Sequence, residues 1–226
     1  MFKNKFNGLN YSGTTLTDLV GTGNGTGAGT PAPSASTGNI KFSGGNGATA
    51  GDRCRIVLTE SNFHYTYTGT FSILCYFKSS KLDAQYHTIF FEGSHDLNGL
   101  YGAAIGADEG LDIIILTSAG SVKRYINSTS VCDGKWHMIV MTYSTNDLKV
   151  YVDSNLVTLT TNDTFSTGNF YNATSNKICL GARWSNVGNN YLYDGTFELQ
   201  EFYQFTHVLT QTEIKNYWNY LKGIYN

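Results

Sequence analysis

The stretch DGKWHMIVMTYSTNDLKVYVDSNLV, Asp133 to Val157, sets two apolar runs on either side of a short polar break. Each run carries β-branched and aromatic residues, and a polar break between two such runs predicts a β-hairpin. In a strand that starts at Trp136, the side chains of Trp136, Met138 and Val140 share one face and those of His137, Ile139 and Met141 the other. Both sets are mostly apolar, so this strand is expected in the middle of a sandwich, covered on both sides. Trp136 is then a core anchor, and His137 a hydrogen-bonded structural histidine and not a ligand.

The same rhythm runs outward through the chain. Short β-rich runs separated by Gly, Asn, Asp and Ser clusters predict strands at 39–43, 54–59, 70–78, 87–93, 100–106, 111–117, 122–127, 136–144, 148–154, 176–182 and 197–205. One helix closes the chain: Thr210 and Glu213 form a capping-box pair, and Ile214, Tyr217, Trp218 and Leu221 make one apolar stripe, with Gly223 as its stop. A single stripe places that helix against a sheet. Residues 1–10 are expected as an N-terminal arm. By composition alone GTGNGTGAGTPAPSASTG, Gly21 to Gly38, reads as a flexible linker.

Composition narrows the function classes. Only 14% of the 226 residues are charged, well under the usual quarter or so, and 15 basic against 17 acidic residues leave a net charge of −2. Nucleic acid has no electrostatic footprint here. A polar, weakly charged surface suits neutral partners such as glycans, or packing against other protein. No run reaches the 18 or so apolar residues of a membrane span, so no membrane insertion is expected. The first residues lack the apolar core of a signal peptide. Cys54, Cys75, Cys132 and Cys179 form no CxxC pair; Cys75 and Cys179 lie in apolar runs, and buried free thiols are expected before disulfides or metal ligation.

The order of these motifs resembles the laminin-G-like domains of the concanavalin A-like lectin/glucanase superfamily. NIKFSGG, TFSILCYFKSS, the Trp136–His137 hairpin, KICLGARW and YDGTFELQEFYQFTHVLTQTEI follow one another as in that family. TDLVGTGNGTGAGTPAPSASTGNIKFSGG resembles the family's opening segment, so the likeness runs from about Tyr11 to Leu221 and leaves no second domain. It implies an all-β jelly-roll sandwich of two antiparallel sheets with a short C-terminal helix. Asn155 replaces the usual Gly of the hairpin turn, which Asn tolerates at positive φ. Gln200 stands where the family often has Asp, and His207 where it often has Arg.

The superfamily includes β-glucanases with paired carboxylates on one strand. Retaining hydrolysis needs carboxyls about 5 Å apart, hence acids at i and i+2 or i+4 of a strand. Glu198 and Glu201 are three apart and so are expected on opposite sides, with Gln200 at i+2. Asp112 and Asp153 have no acidic partner at that spacing, so no enzyme is expected. His64, His87, His95, His137 and His207 show no HxH or HExxH spacing, and no GxSxG elbow is present. No cofactor is expected. The resemblance adds calcium, with Asp96, Asp108 and Glu109 as loop acids of the right kind, although no DxDxDG run is present; solvated loop acids are the alternative.

Glycans are held by aromatic faces against sugar rings, with Asn, Asp and backbone groups on the hydroxyls. ARWSNVGNNYLYDG, Ala182 to Gly195, is the richest stretch, with Trp184, Asn189, Asn190, Tyr191, Tyr193 and Asp194. SHDLNGLYG, Ser94 to Gly102, is second, with Asp96, Asn98 and Tyr101. The bland alternative packs these aromatics against neighbouring loops or subunits. The expectation is a virion surface protein made in a host cytoplasm, such as a phage capsid decoration or fibre component. It would bind host-surface carbohydrate, contact other virion proteins and form a homo-oligomer. The alternatives are a cellular lectin or adhesion module, extracellular or at the cell surface, and a glycoside hydrolase.

Overall fold

The computed structural model describes residues 2–21, 23–44, 53–58, 70–80, 86–94, 98–106, 110–116, 122–127, 130–144, 147–161, 178–185, 190–192 and 195–225. The chain begins with β1 (Phe2–Asn7), a 3-10 turn (Gly8–Asn10), β2 (Tyr11–Ser12), β3 (Thr15–Leu16), β4 (Gly25–Ala28), β5 (Ser34–Ser36) and β6 (Asn39–Ser43). The middle holds β7 (Arg55–Leu58), β8 (Phe71–Lys78), β9 (His87–Ser94), β10 (Asn98–Ile105), β11 (Leu111–Leu116) and β12 (Val122–Asn127). Then come β13 (Trp136–Ser144), β14 (Asp147–Val152), β15 (Asn155–Leu156), β16 (Thr160–Thr161), β17 (Ile178–Leu180), β18 (Arg183–Ser185) and β19 (Asn190–Leu192). Last are β20 (Thr196–Phe205) and the helix α1 (Gln211–Tyr225). Each of the strands expected from the sequence is present, with ends that agree to within two residues.

These strands form two sheets. The first runs β15-β14-β13-β8-β20-β6-β5, with β1 also on β20; the second runs β16-β12-β11-β10-β9-β17-β7-β4-β3-β2, with β18 on β9 and β19 on β18. Pairing is antiparallel except where β18 meets β9, Trp184 opposite Ser94. Side-chain alternation then decides what each face buries. Ile73, Cys75 and Phe77 of β8, with Ile139 and Met141 of β13, pack on Ile89, Ile105 and Ile113 of the second sheet. Leu74, Tyr76, Met138 and Val140 point the other way and join Tyr203, Phe205, Ile214 and Leu221 under α1. The two-sided apolar patterning around Trp136 therefore reflects one face toward the opposite sheet and one toward the helix. All four cysteines are buried free thiols.

Several expectations change. Residues 1–10 are not an arm: β1 pairs with β20 from Phe2 to Asn7, because alternation in FKNKFN sends Phe6 into the core, where it is buried. The segment from Gly21 to Gly38 is built into the sheets, β4 beside β3 and β7, and β5 beside β6. Its glycines serve close packing: a Cβ on Gly25 would stand 2.6 Å from Ile56, and one on Gly27 2.2 Å from the Tyr11 hydroxyl. Gly223 does not stop the helix, which runs on to Tyr225. The Tyr225 ring packs 5.9 Å from that of Tyr76, and this tertiary contact outweighs a single glycine's weak helix propensity.

At the hairpin turn, positive φ falls on Asp153 and Ser154, and not on Asn155, which already belongs to β15. Val152 pairs with Asn155, and a two-residue loop of this kind requires φ > 0 at both central residues. Trp136 packs on the helix side, its ring stacked 5.3 Å from Tyr76, but it is only half-buried. As the first residue of β13 it stands at the margin of that face, a weaker anchor than expected. The reciprocal capping box forms as read: Thr210 N–H donates to Glu213 Oε2 at 2.8 Å, and Glu213 N–H to Thr210 Oγ1 at 3.3 Å.

Candidate functional site

His137, flagged by its place beside Trp136, is a structural node. It is 8% exposed. Nδ1 lies 2.8 Å from Asp153 Oδ2 and Nε2 2.9 Å from Asp133 Oδ1, so each ring nitrogen meets a carboxylate. Burial alone lowers the imidazole pKa, yet the hydrogen bonds it donates to Asp153 and Asp133 prevail and hold it above its ordinary value. Asp133 is held well below the usual carboxylate range, first by its hydrogen bond from Lys135 and then by His137. Asp153 Oδ1 also accepts the Met138 N–H at 2.9 Å. The cluster ties the strand's entry to its hairpin turn, as a satisfied histidine should.

The carboxylates of β20 depart from expectation. The register of β20 on β8 shifts between Leu199 and Glu201, so Glu198 stands opposite Lys78 and Glu201 opposite Tyr76. Lys78 and Tyr76 share a face of β8, and the bulge at Gln200 therefore puts both acids on the helix-bearing face. They do different things. Glu198 pairs with Lys78 at 3.3 Å and accepts from Asn39 Nδ2 at 2.9 Å, at the open end of that face. Glu201 is 2% exposed. Tyr225 Oη donates to its Oε1 at 2.7 Å, Asn7 Nδ2 donates to the same oxygen, and burial raises its pKa. Tyr225 is itself pushed up to about 12 by burial and by Glu201. Glu201 thus pins the helix end to β1 and is sealed from solvent.

Around Glu198 the outer face is open. A hollow of about 390 Å³ is lined by Lys41, Lys78, Thr196 and Glu198, and another of about 290 Å³ by Asn39, Lys78, Trp136, Gln200 and Tyr225. The Lys78 ammonium lies 5.1 Å above the Trp136 ring. Sequence reading passed over Asn39, Lys41, Lys78 and Thr196, although Asn39 and Lys41 occupy the outward positions of NIKFS and were the available signal.

The residues singled out for glycan binding divide in two. Asp96, Asn189, Tyr193 and Asp194 lie outside the described residues, as do Asp108 and Glu109. Asn98, Tyr101, Trp184, Asn190 and Tyr191 sit on strands, and the pairing gathers them. Asn98 is opposite Ser94, Ser94 opposite Trp184, and Trp184 opposite Tyr191, with Asn190 opposite Ser185. Two stretches far apart in the chain thus form one row across β10, β9, β18 and β19. Tyr101 stands further along β10, opposite Glu92. Among the described residues no three His, Cys, Asp or Glu side chains come together as metal ligands, and no helix is long and apolar enough to cross a membrane.

A sequence profile of the concanavalin A-like lectin/glucanase superfamily matches residues 54–215. The chain belongs to that superfamily. Its matched part runs from the residue before β7 into α1 and takes in the whole Trp136 hairpin. No curated protein matches it in sequence. Solved structures share the superfamily fold at low identity. The binding domain of Paraclostridial Mosquitocidal Protein 1 superposes with a TM-score of 0.71 at 12% identity, over 97% of this chain and 52% of that one. The ligand binding domain of botulinum neurotoxin serotype D, in complex with N-acetylneuraminic acid, gives 0.67 at 16%, over 96% and 50%. Trypanosoma rangeli sialidase in complex with sialic acid gives 0.67 at 13%, over 98% and 33%. The chain spans about half the length of the first two structures and a third of the last.

Proposed function

We propose that this superfamily member is a lectin-like, non-catalytic glycan-binding protein that works on a virion surface. The observation that carries the reading is the row Asn98–Ser94–Trp184–Tyr191, which sets the two Asn- and aromatic-rich stretches side by side on adjacent strands. Aromatic and amide-bearing residues paired on adjacent strands supply the groups a sugar ring and its hydroxyls require. The neighbouring folds add support, since two of them are binding domains and one of these is in complex with N-acetylneuraminic acid.

The fate of the β20 acids favours binding over hydrolysis. Glu198 and Glu201 share a face, but Glu201 is sealed beneath Tyr225, so the two do not flank a bond in an open cleft. The virion setting is supported by the low charge of a chain rich in Asn, Thr, Gly and Tyr, a composition that suits packing against copies of itself and other virion proteins. A glycan array, followed by incubation with each bound oligosaccharide, tests the first part. Binding without turnover is the expected result, and cleavage of a bound glycan overturns the non-catalytic reading. Finding the protein at capsid-scale copy number in purified particles supports the virion setting; its absence from particles removes that setting and leaves a cellular lectin.

A further inference from the structure

We propose that the open end of the helix-bearing face is a second carbohydrate site, which takes an acidic oligosaccharide across the Lys78–Glu198 ion pair. The proposal rests on the reading that the chain binds glycans, but not on the row at Trp184. The two hollows on this face meet at Lys78, which lines both. Small-molecule sites begin at roughly 300 Å³; either hollow alone is near that limit, and joined they exceed it.

The larger hollow fits an anionic group. Glu198 neutralises Lys78. Lys41, directly opposite Glu198 in the β6–β20 register, is exposed and makes no ion pair among the described residues. It leaves the larger hollow with an uncompensated positive charge. In the same hollow the Thr196 hydroxyl is buried and has no hydrogen-bond partner. A buried polar group in that state is costly, and turning the half-buried Thr196 side chain toward the hollow would bring its hydroxyl to a ligand oxygen. A carboxylate or sulfate borne on a sugar meets both needs.

The smaller hollow fits the adjoining ring. Exposed Leu9 and Ile224 rim it, Trp136 forms a wall, and the amides of Asn39 and Gln200 line it. The Trp136 ring is already engaged by Tyr76 and Lys78, so the C–H faces of a sugar meet Leu9 and Ile224, with its hydroxyls on the amides. Lys78, shared by both hollows, bridges the two parts of the ligand.

The test screens the full chain and the variants K41Q, T196V and Y191A on one array of carboxylated, sulfated and neutral oligosaccharides. Acidic glycans are expected to bind the parent, with at least tenfold weaker binding of their neutral analogues. K41Q should lose at least tenfold and T196V at least threefold, whereas Y191A should retain the acidic signal. T196V should melt no lower than the parent, since it removes a hydroxyl that has no partner, which separates loss of the site from loss of the fold. Carboxylated and sulfated arms identify which acid the site takes. No binding of any acidic glycan, or acidic binding unchanged in K41Q and T196V, overturns the proposal. If neutral glycans still bind and Y191A abolishes them, the row at Trp184 stands and this site falls; if no glycan of any class binds, both fall.

Discussion

Glu198 and Glu201 stand on the same face of β20, three residues apart in the chain, because the strand bulges at Gln200. One sits in an open ion pair and the other beneath the end of the helix. Removing them should therefore differ in cost. Glu201→Ala leaves Asn7 and Tyr225 without their shared acceptor in a buried site and should destabilise by about 2 kcal/mol or more. Glu198→Ala removes a partly exposed pair and should cost about 1 kcal/mol or less. Urea unfolding of both variants measures the contrast; equal losses would show that Glu201 does not pin the helix end.

His137 makes stability depend on pH. Its folded-state pKa is raised above the ordinary 6.5, so its contribution is fully present below that pH and is lost as pH rises through the folded value. The melting temperature of the parent should fall between roughly pH 6 and pH 8, the range of histidine titration. That of His137→Gln should start lower and fall less. Binding should survive the substitution, because the imidazole's ring nitrogens are both engaged by carboxylates. A His137→Gln variant with the parent's stability at every pH would refute the node.

The β14–β15 turn holds Ser154 at φ 68°. A left-handed conformation costs a non-glycine residue roughly 1–2 kcal/mol, part of which is regained by the extra unfolded-state freedom of glycine. Ser154→Gly should thus stabilise by about 0.5 kcal/mol, read from the shift in denaturation midpoint. Asp153→Gly should do the opposite despite a similar φ of 50°, because the Asp153 carboxylate holds both His137 and the Met138 N–H.

The helix covers a face that would otherwise be apolar and wet. Ile214 and Leu221 are fully buried on it, and truncating either to Ala should cost about 2–5 kcal/mol. Tyr220 points outward at 59% exposure, and Tyr220→Ala should change stability by about 0.5 kcal/mol at most. Thermal unfolding of the three variants distinguishes a docked helix from an ornamental one.

What is legible in the sequence follows from local pattern. β13 and β14 were legible because two runs of nine and six residues, rich in β-branched and aromatic side chains, flank a short polar break. So was the capping box at Thr210. β18 and β19, three residues each, are too short to show a period, and their existence depends on pairing with each other and with β9. The bulge at Gln200 was invisible because a strict period of two sends Glu198 and Glu201 to opposite faces; the shift is made by β8 across the strand. The Gly-rich segment misled for a related reason: its glycines answer to Ile56 and Tyr11, residues remote in the chain. The trough at Lys78 escaped notice because it draws on β6, β8, β13 and β20 together, and no local motif records that assembly.

The central claim is that the row at Trp184 binds sugar. Its direct measurement is calorimetric titration of the array's best neutral glycan into the parent, Trp184→Ala and Tyr191→Ala, each checked for an intact melting transition. The account predicts saturable binding to the parent that weakens at least tenfold in both folded variants. No glycan binding by the parent, or equal affinity in folded Trp184→Ala and Tyr191→Ala, would contradict it.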